Sequence, residues 1–281
     1  MGRTQSVVKI FILIFCLWPV TVFPQQRPEI SEAIAALNRH DYAQALPKFE
    51  ALARRGDAEA QYSLGVIYER GLGVPRDYQV AVEWYRKAAD QGHAFAQSNL
   101  GNMYEQGEGV PKDVREAAIW YRKAADQGDA VGEFNLGTMY DRGEGVPQNR
   151  QTAAELYRKS ANQGFYRAQH NLASMLWLGE GVSKNSQEAF VWFRNAADQG
   201  HVLSQLSLAD LYVLGEGVPQ DFIEAHKWFN IAAGNAVLHS LRVRAVSGRD
   251  EVARQMTREQ IGTAQQRASA WRPTPSPQAN R

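Results

Sequence analysis

The sequence predicts an all-α protein, built as an α-solenoid of stacked antiparallel helix pairs. Three observations predict this class: a 36-residue period, apolar residues at helical spacing in both halves of each period, and a Gly-x-Gly-Val segment between the halves. A single helix pair cannot bury both of its apolar faces, so each pair must stack on its neighbours.

The period runs through five copies without insertion or deletion. The copies span residues 57–92, 93–128, 129–164, 165–200 and 201–236. In the first half of each copy, apolar residues four apart, such as Ala60, Leu64 and Tyr68, predict one helix. In the second half, Ala117, Tyr121 and Ala124 share one face of another.

The segment between the two halves contains residues that end one helix and begin the next. In the second copy, Gly107 suits the left-handed conformation that closes a helix, and Pro111 prevents the helix from continuing. Asp113 is then placed to cap the second helix. The five predicted caps of the second helices are Asp77, Asp113, Asn149, Asn185 and Asp221.

The repeat has the pattern A-x-x-x-L-G-x-x-Y-x-x-G-x-G-V-P-x-D, followed by A-x-x-W-Y-x-x-A-A-x-Q-G. This pattern resembles the Sel-one-like repeat (SLR) family, a relative of the tetratricopeptide repeat. The resemblance implies a right-handed solenoid whose first helices line the concave face. It also implies a scaffold for protein–protein interaction in an envelope complex, in signalling or in host interaction.

The segments outside the five copies have other compositions. Residues 1–25 carry Arg3 and Lys9 before an uncharged apolar run, which predicts a signal peptide and export to the periplasm or medium, with an uncleaved anchor as the alternative. Residues 26–56 predict a helical hairpin cap, residues 237–269 predict capping helices that include a capping box at Thr257, and the Pro-rich residues 270–281 predict a disordered tail.

Composition argues against several classes of function. With 31 basic and 30 acidic residues, the chain has no net basic field for nucleic acid. Its one cysteine, Cys16, excludes an internal disulfide framework. The six histidines include no pair four residues apart and no HExxH motif, so we expect no metal site, no cofactor and no catalytic residue. We expect a monomer that contacts a membrane only if residues 1–25 are retained.

Repeat positions that vary within the fixed frame are the candidates for partner binding. On the predicted concave face they combine aromatic side chains with arginine, asparagine and histidine, a composition typical of interface hot spots. The candidates are Tyr62, Phe95, Asn102, Phe134, Arg167, His170 and Trp177. An alternative is that the large aromatic residues among them pack between neighbouring helices.

Two further alternatives stay open. Asn99, Asn135 and Asn171 recur along the first helices, where they form either inter-repeat hydrogen bonds or a ligand-binding ladder. Some cysteine-rich relatives of this family are associated with β-lactam binding or hydrolysis, so an envelope hydrolase or cell-wall ligand binder is the second functional hypothesis.

Overall fold

Each of the five predicted repeats folds as a pair of helices. The structure, a computed structural model, describes residues 28–275, so the predicted signal segment and residues 276–281 lie outside the described range. The helices within that range are α1 (Pro28–Asn38), α2 (Tyr42–Arg54), α3 (Ala58–Arg70), α4 (Tyr78–Asp90), α5 (Ala94–Gln106), α6 (Val114–Asp126), α7 (Ala130–Arg142), α8 (Arg150–Asn162), α9 (Tyr166–Leu178), α10 (Ser186–Asp198), α11 (Val202–Leu214), α12 (Phe222–Asn235), α13 (His239–Ala253) and α14 (Arg258–Ala270). The all-α class and the stacked pairs are confirmed.

The predicted caps are present at the second helix of every repeat. Asp113, for example, accepts hydrogen bonds from the backbone N–H groups of Arg115 and Glu116. The first glycine of the connecting segment ends each first helix with a positive φ, which is +77° at Gly107. These local signals fix helix length, so the first helices of all five repeats have thirteen residues each.

The two helices of a repeat pack through a leucine and a neighbouring small residue. Leu100 is fully buried, and a Cβ placed on Gly101 would lie 2.7 Å from the ring of Tyr121 on the second helix. The glycine therefore allows an approach that any larger residue would obstruct, as the leucine-plus-small pattern indicates.

Glutamine side chains connect each repeat to the next. Gln97 in α5 donates from Nε2 to the backbone carbonyl of Ala89, eight residues earlier, and accepts from Gln127 Nε2 at 2.7 Å. The same arrangement occurs at Gln61, Gln169 and Gln205. At Gln205 the donor is Asn235 instead of a glutamine. Because the first-helix glutamines are buried, their amides depend on these partners for their hydrogen bonds.

Glu133 occupies this glutamine position in the third repeat. Its side chain is only 4% exposed and accepts from Gln163 Nε2 at 2.8 Å. Burial raises the pKa of its carboxyl group, the Asp129 carboxylate raises it further, and Gln163 and Lys159 oppose the shift. Unlike an amide, an ionised carboxylate cannot donate to the carbonyl eight residues earlier.

We expect Glu133→Gln to increase the free energy of unfolding at pH 7 by about 0.5–1.5 kcal/mol, the usual net contribution of one hydrogen bond, because the glutamine amide can donate to the Ala125 carbonyl as the other glutamines do. A raised pKa in the folded state stabilises the protein below the carboxyl group's unfolded pKa, and this contribution disappears as pH rises through the folded value. The advantage of glutamine should therefore be largest at neutral pH and should shrink on acidification toward pH 4. Urea denaturation at both pH values measures it; an advantage that does not change with pH contradicts the assignment.

The two ends of the solenoid are covered by additional helices. α1 packs on α2, α2 packs on α3, and α13 continues the stack beyond α12. The predicted capping box at Thr257 is present. α14 packs against α12, where Arg267 Nη1 donates to Glu224 Oε1 at 2.7 Å.

The predicted disordered tail makes contacts over residues 271–275. Trp271 lies edge-on to the buried ring of Trp228, and the Thr274 N–H donates to the carbonyl of Asp198 at 2.8 Å. This part of the tail therefore runs back over α12 toward the end of α10.

Candidate functional site

The first helices of the repeats form one wall of the solenoid and enclose a groove. α3 contacts α5, and α5 contacts α7, while the second helices α4, α6 and α8 stand further apart from one another. Over the first three repeats, the stack therefore curves toward its first helices. The resulting inner groove has a volume of about 600 Å³ and is lined by Tyr62, Arg70, Phe95, Ser98, Asn99, Asp129, Val131, Phe165, Tyr166 and Arg167.

Three of the seven predicted binding residues line this groove. Tyr62 and Phe95 lie at the end formed by α3 and α5, with ring centroids 6.1 Å apart. Arg167 lies on α9 at the other end, exposed, with its guanidinium 5.9 Å from the centre of the Tyr166 ring.

The other four candidates lie outside the groove lining. Phe134 packs between Tyr157 and Phe165. Trp177 donates from Nε1 to Glu216 Oε2 at 2.6 Å, across to the next repeat. Asn102 is half-buried on α5.

His170 is held in a cluster between the fourth and fifth repeats. Its Nδ1 lies 3.0 Å from Ser204 Oγ, and His201 Nδ1 lies 2.8 Å from the same oxygen. Burial lowers the pKa of His170 to about 4. Burial lowers the pKa of His201 to about 3, with a smaller contribution from His170 and Arg167. Both rings are therefore neutral at physiological pH, as a packed interface requires.

The groove opens where the contacts between neighbouring first helices use small side chains. The sixth residue of each repeat meets the first residue of the next. Aromatic pairs fill three of these junctions: Tyr62 with His93, Phe134 with Phe165, and His170 with His201. The remaining junction holds Ser98 and Asp129, whose side chains hydrogen-bond at 2.6 Å. Two small polar residues thus stand where the other junctions have rings, and both line the groove.

Sequence reasoning did not select Ser98 or Asp129. Ser98 lies among the varying sixth positions, but a small hydroxyl does not have the composition of a hot spot. Aligning each sixth residue with the first residue of the next copy would have distinguished this junction as the one without two rings.

The asparagines of the ladder lie beside buried tyrosine hydroxyls of the preceding repeat. Tyr121 Oη donates to Glu105 Oε2 at 2.7 Å, and the Asn135 side chain of the next repeat acts to lower the pKa of the same hydroxyl. Burial raises the pKa of the Tyr121 hydroxyl. Equivalent sets are Tyr85 with Glu69 and Asn99, and Tyr157 with Thr138 and Asn171.

The residues of this ladder change together along the chain. Where the second helix carries Phe193 instead of tyrosine, the asparagine fourteen residues later is replaced by Ser207. The same pair occurs at the N-terminal end, with Phe49 and Ser63. An asparagine is thus present only where a buried hydroxyl needs a partner, which favours the structural interpretation of the ladder.

Neither a metal cluster nor a membrane-spanning helix is found within residues 28–275. No three His, Cys, Asp or Glu side chains in this range are grouped so that they could hold a metal ion. None of its helices combines the length and the apolar composition needed to span a bilayer.

A family model described as the Sel1 repeat matches the chain five times, at residues 58–93, 94–129, 130–165, 167–201 and 202–235. The chain belongs to the Sel1 repeat family. The resemblance inferred from the repeat pattern is therefore confirmed, and the chain is a Sel1 repeat scaffold. The matched intervals follow the predicted copies to within two residues at each boundary.

Several solved structures match this chain. The crystal structure of a Sel1 repeat protein from Oxalobacter formigenes is 34% identical, with the match covering 76% of this chain and 88% of that chain at a TM-score of 0.68. A protective antigen of uropathogenic Escherichia coli with an SLR fold is 26% identical, over 86% of this chain and 68% of that one, at a TM-score of 0.41. An immunity protein from Pseudomonas aeruginosa is 21% identical, over 69% and 81%, at a TM-score of 0.43. No curated protein gives a significant match.

Proposed function

We propose that this Sel1 repeat chain is an exported scaffold that binds a protein partner in its inner groove and catalyses no reaction of its own. The observation that carries the proposal is the groove itself, which combines four aromatic rings with two exposed arginines. Neither Arg70 nor Arg167 forms an ion pair with another described residue. Aromatic and arginine side chains are those most often found at interface hot spots.

The packing behind the groove supports binding by a preformed surface. Tyr62 is stacked on His93 with centroids 4.7 Å apart, and Phe165 is held edge-on to Phe134 at 5.1 Å. Side chains fixed in this way lose little conformational entropy on binding. Export is the second part of the proposal, and it is supported by Arg3 and Lys9 preceding an uncharged apolar run.

The test is capture of partners from an envelope fraction with two forms of the purified protein. We expect the triple variant Arg70→Ala, Phe95→Ala, Arg167→Ala to retain a specific partner at least tenfold less than the wild type, because hot-spot truncations each cost about 2 kcal/mol or more. A matched control is Arg115→Ala, Ile119→Ala, Lys123→Ala, which alters two basic side chains and one apolar side chain on α6 outside the groove. Intact mass of the exported protein reports whether the N-terminal segment has been removed.

Equal capture by the wild type and the groove variant would contradict the groove model. Circular dichroism melting shows whether the triple variant still folds. The single variant Arg167→Glu repeats the capture test at one exposed side chain. Turnover of β-lactams or peptidoglycan fragments by the purified protein would contradict the non-catalytic role.

A further inference from the structure

Asp129, at the junction that lacks aromatic rings, has one carboxylate oxygen without a hydrogen-bond partner. The residue is only 4% exposed. Its Oδ2 accepts from Ser98 Oγ at 2.6 Å and from the Gly132 N–H at 2.8 Å, whereas its Oδ1 is buried and accepts from no described residue. An unsatisfied buried oxygen of an anionic group costs free energy. A hydrogen-bond donor from outside the described chain would remove this cost.

The equivalent position in the preceding repeat shows a different arrangement. His93 accepts from the Ala96 N–H at Nδ1 and bonds Glu59 Oε2 through Nε2 at 3.1 Å. Both sides of that capping residue therefore have partners within the solenoid. His93 and Asp129 are both the first residue of a repeat, and Glu59 is the third residue of the repeat before His93. The third residue of the repeat before Asp129 is Phe95, whose ring offers no hydrogen bond.

Acidic and aromatic side chains lie near this end of the groove, together with Arg70. Burial raises the pKa of the Tyr62 hydroxyl, and the carboxylates of Glu59, Glu69 and Asp129 raise it further, while Arg70 acts in the opposite sense. Three acidic groups thus act on this ring against one basic group. Of the three, Glu69 accepts from Tyr85 and Glu59 contacts His93.

Aromatic rings beside carboxylates form a favourable environment for an ammonium or guanidinium group. A donor that reaches Asp129 from the groove would make a charge-assisted hydrogen bond in a site largely shielded from water, where such bonds are strongest. Arg167 is on α9, at the far end of the groove, and is positioned to meet an acidic group elsewhere on the same partner.

We infer that the inner groove receives a lysine or arginine side chain of its protein partner, with the cationic head against the rings of Tyr62 and Phe95 and hydrogen-bonded to the Asp129 carboxylate. This inference rests on the proposed function and specifies the chemistry that the groove recognises. The short side chain of Ser98 provides the space, and the buried carboxylate provides the charge.

Selection from a random heptapeptide display library, with the full-length protein as bait, tests the inference. We expect the enriched peptides to carry lysine or arginine at one fixed position. For an enriched peptide titrated by fluorescence polarisation, replacing that basic residue by norleucine should weaken binding to the wild type by about 10- to 100-fold, the range for hydrogen bonds to charged groups.

Asp129→Asn is the matched variant. Asparagine is as good a helix cap as aspartate and retains an oxygen for the Gly132 N–H, so the fold should be kept and melting curves can confirm it. Against this variant, the lysine and norleucine peptides should bind within about twofold of each other. Glu59→Gln removes a more exposed charge nearby and should weaken the lysine peptide only two- to fivefold, as an exposed pair does.

The inference is wrong if groove-dependent peptides show no fixed basic position, if no peptide is enriched, or if the preference for lysine persists in Asp129→Asn. These outcomes can be separated from failure of the proposed function. Groove-dependent partner capture together with any of them leaves the scaffold role intact, whereas capture unaffected by the groove variant removes that role independently of the peptide result.

Discussion

Replacing Gly109 by alanine should destabilise the protein by about 2–5 kcal/mol. Gly109 has a φ of +71°, a conformation that costs an L-residue about 1–2 kcal/mol. A Cβ at this position would also lie 2.2 Å from the backbone carbonyl oxygen of Tyr78 in the preceding repeat. That oxygen belongs to the start of α4 and cannot rotate away, so the repeats must separate, at a further cost of about 1–3 kcal/mol typical of overpacking.

Gly107→Ala is the matched control for this prediction, and urea denaturation measures both variants. Gly107 lies in the same loop with a φ of +77°, but its nearest contact would be the Lys112 Cβ at 3.1 Å, in the same loop, and a small local shift would relieve it. We expect only the cost of the left-handed conformation there, about 1–2 kcal/mol. Equal losses at the two glycines would mean that the loop does not set the spacing between repeats.

Leu136→Ala should lower the free energy of unfolding by about 2–5 kcal/mol, the range for truncation of a buried leucine. Leu136 is only 2% exposed and packs in one cluster with Ala117, Tyr121 and Met139. The cluster includes residues of both the second and the third repeats. Because repeat proteins are stabilised largely by interfaces between neighbours, a cavity at this junction weakens the coupling between the two halves of the stack.

Urea denaturation followed by circular dichroism measures this loss. Ile119→Ala serves as the control, since Ile119 is 49% exposed on α6 and a surface truncation usually changes stability by no more than about 0.5 kcal/mol. If both variants lost the same small amount of stability, Leu136 would not contribute to a packed core. A transition that splits into two steps in Leu136→Ala would indicate that the repeats on either side unfold separately.

The fold could be predicted from the sequence because the signals that set the helix boundaries are local. The left-handed glycine at Gly107, the cap at Asp113 and the capping box at Thr257 each act over a few residues, and the structure has all three as predicted. Repetition reinforced these signals, because the same helix-ending and helix-capping residues in five copies exclude a chance pattern. The second glycine of the segment is different, since its role at Gly109 depends on the neighbouring repeat.

The candidate site was predictable only in part. The groove is lined, as expected for exposed variable positions, by Tyr62, Phe95 and Arg167. Phe134 is also an aromatic residue at a variable position, but it packs between repeats. Whether a given aromatic ring faces the groove depends on its partner in the adjacent repeat. A single repeat does not contain that information.

By itself, the sequence determined the helix boundaries, the repeat register and the Sel1 repeat architecture, because capping, backbone conformation and apolar periodicity are short-range effects. Only the tertiary structure decided where the inner wall opens and which polar atom is left without a partner. Both depend on side chains about 30 residues apart that meet across a repeat interface, as Ser98 and Asp129 do. Their contact is set by the stacking of whole repeats, and so is the buried oxygen left beside it.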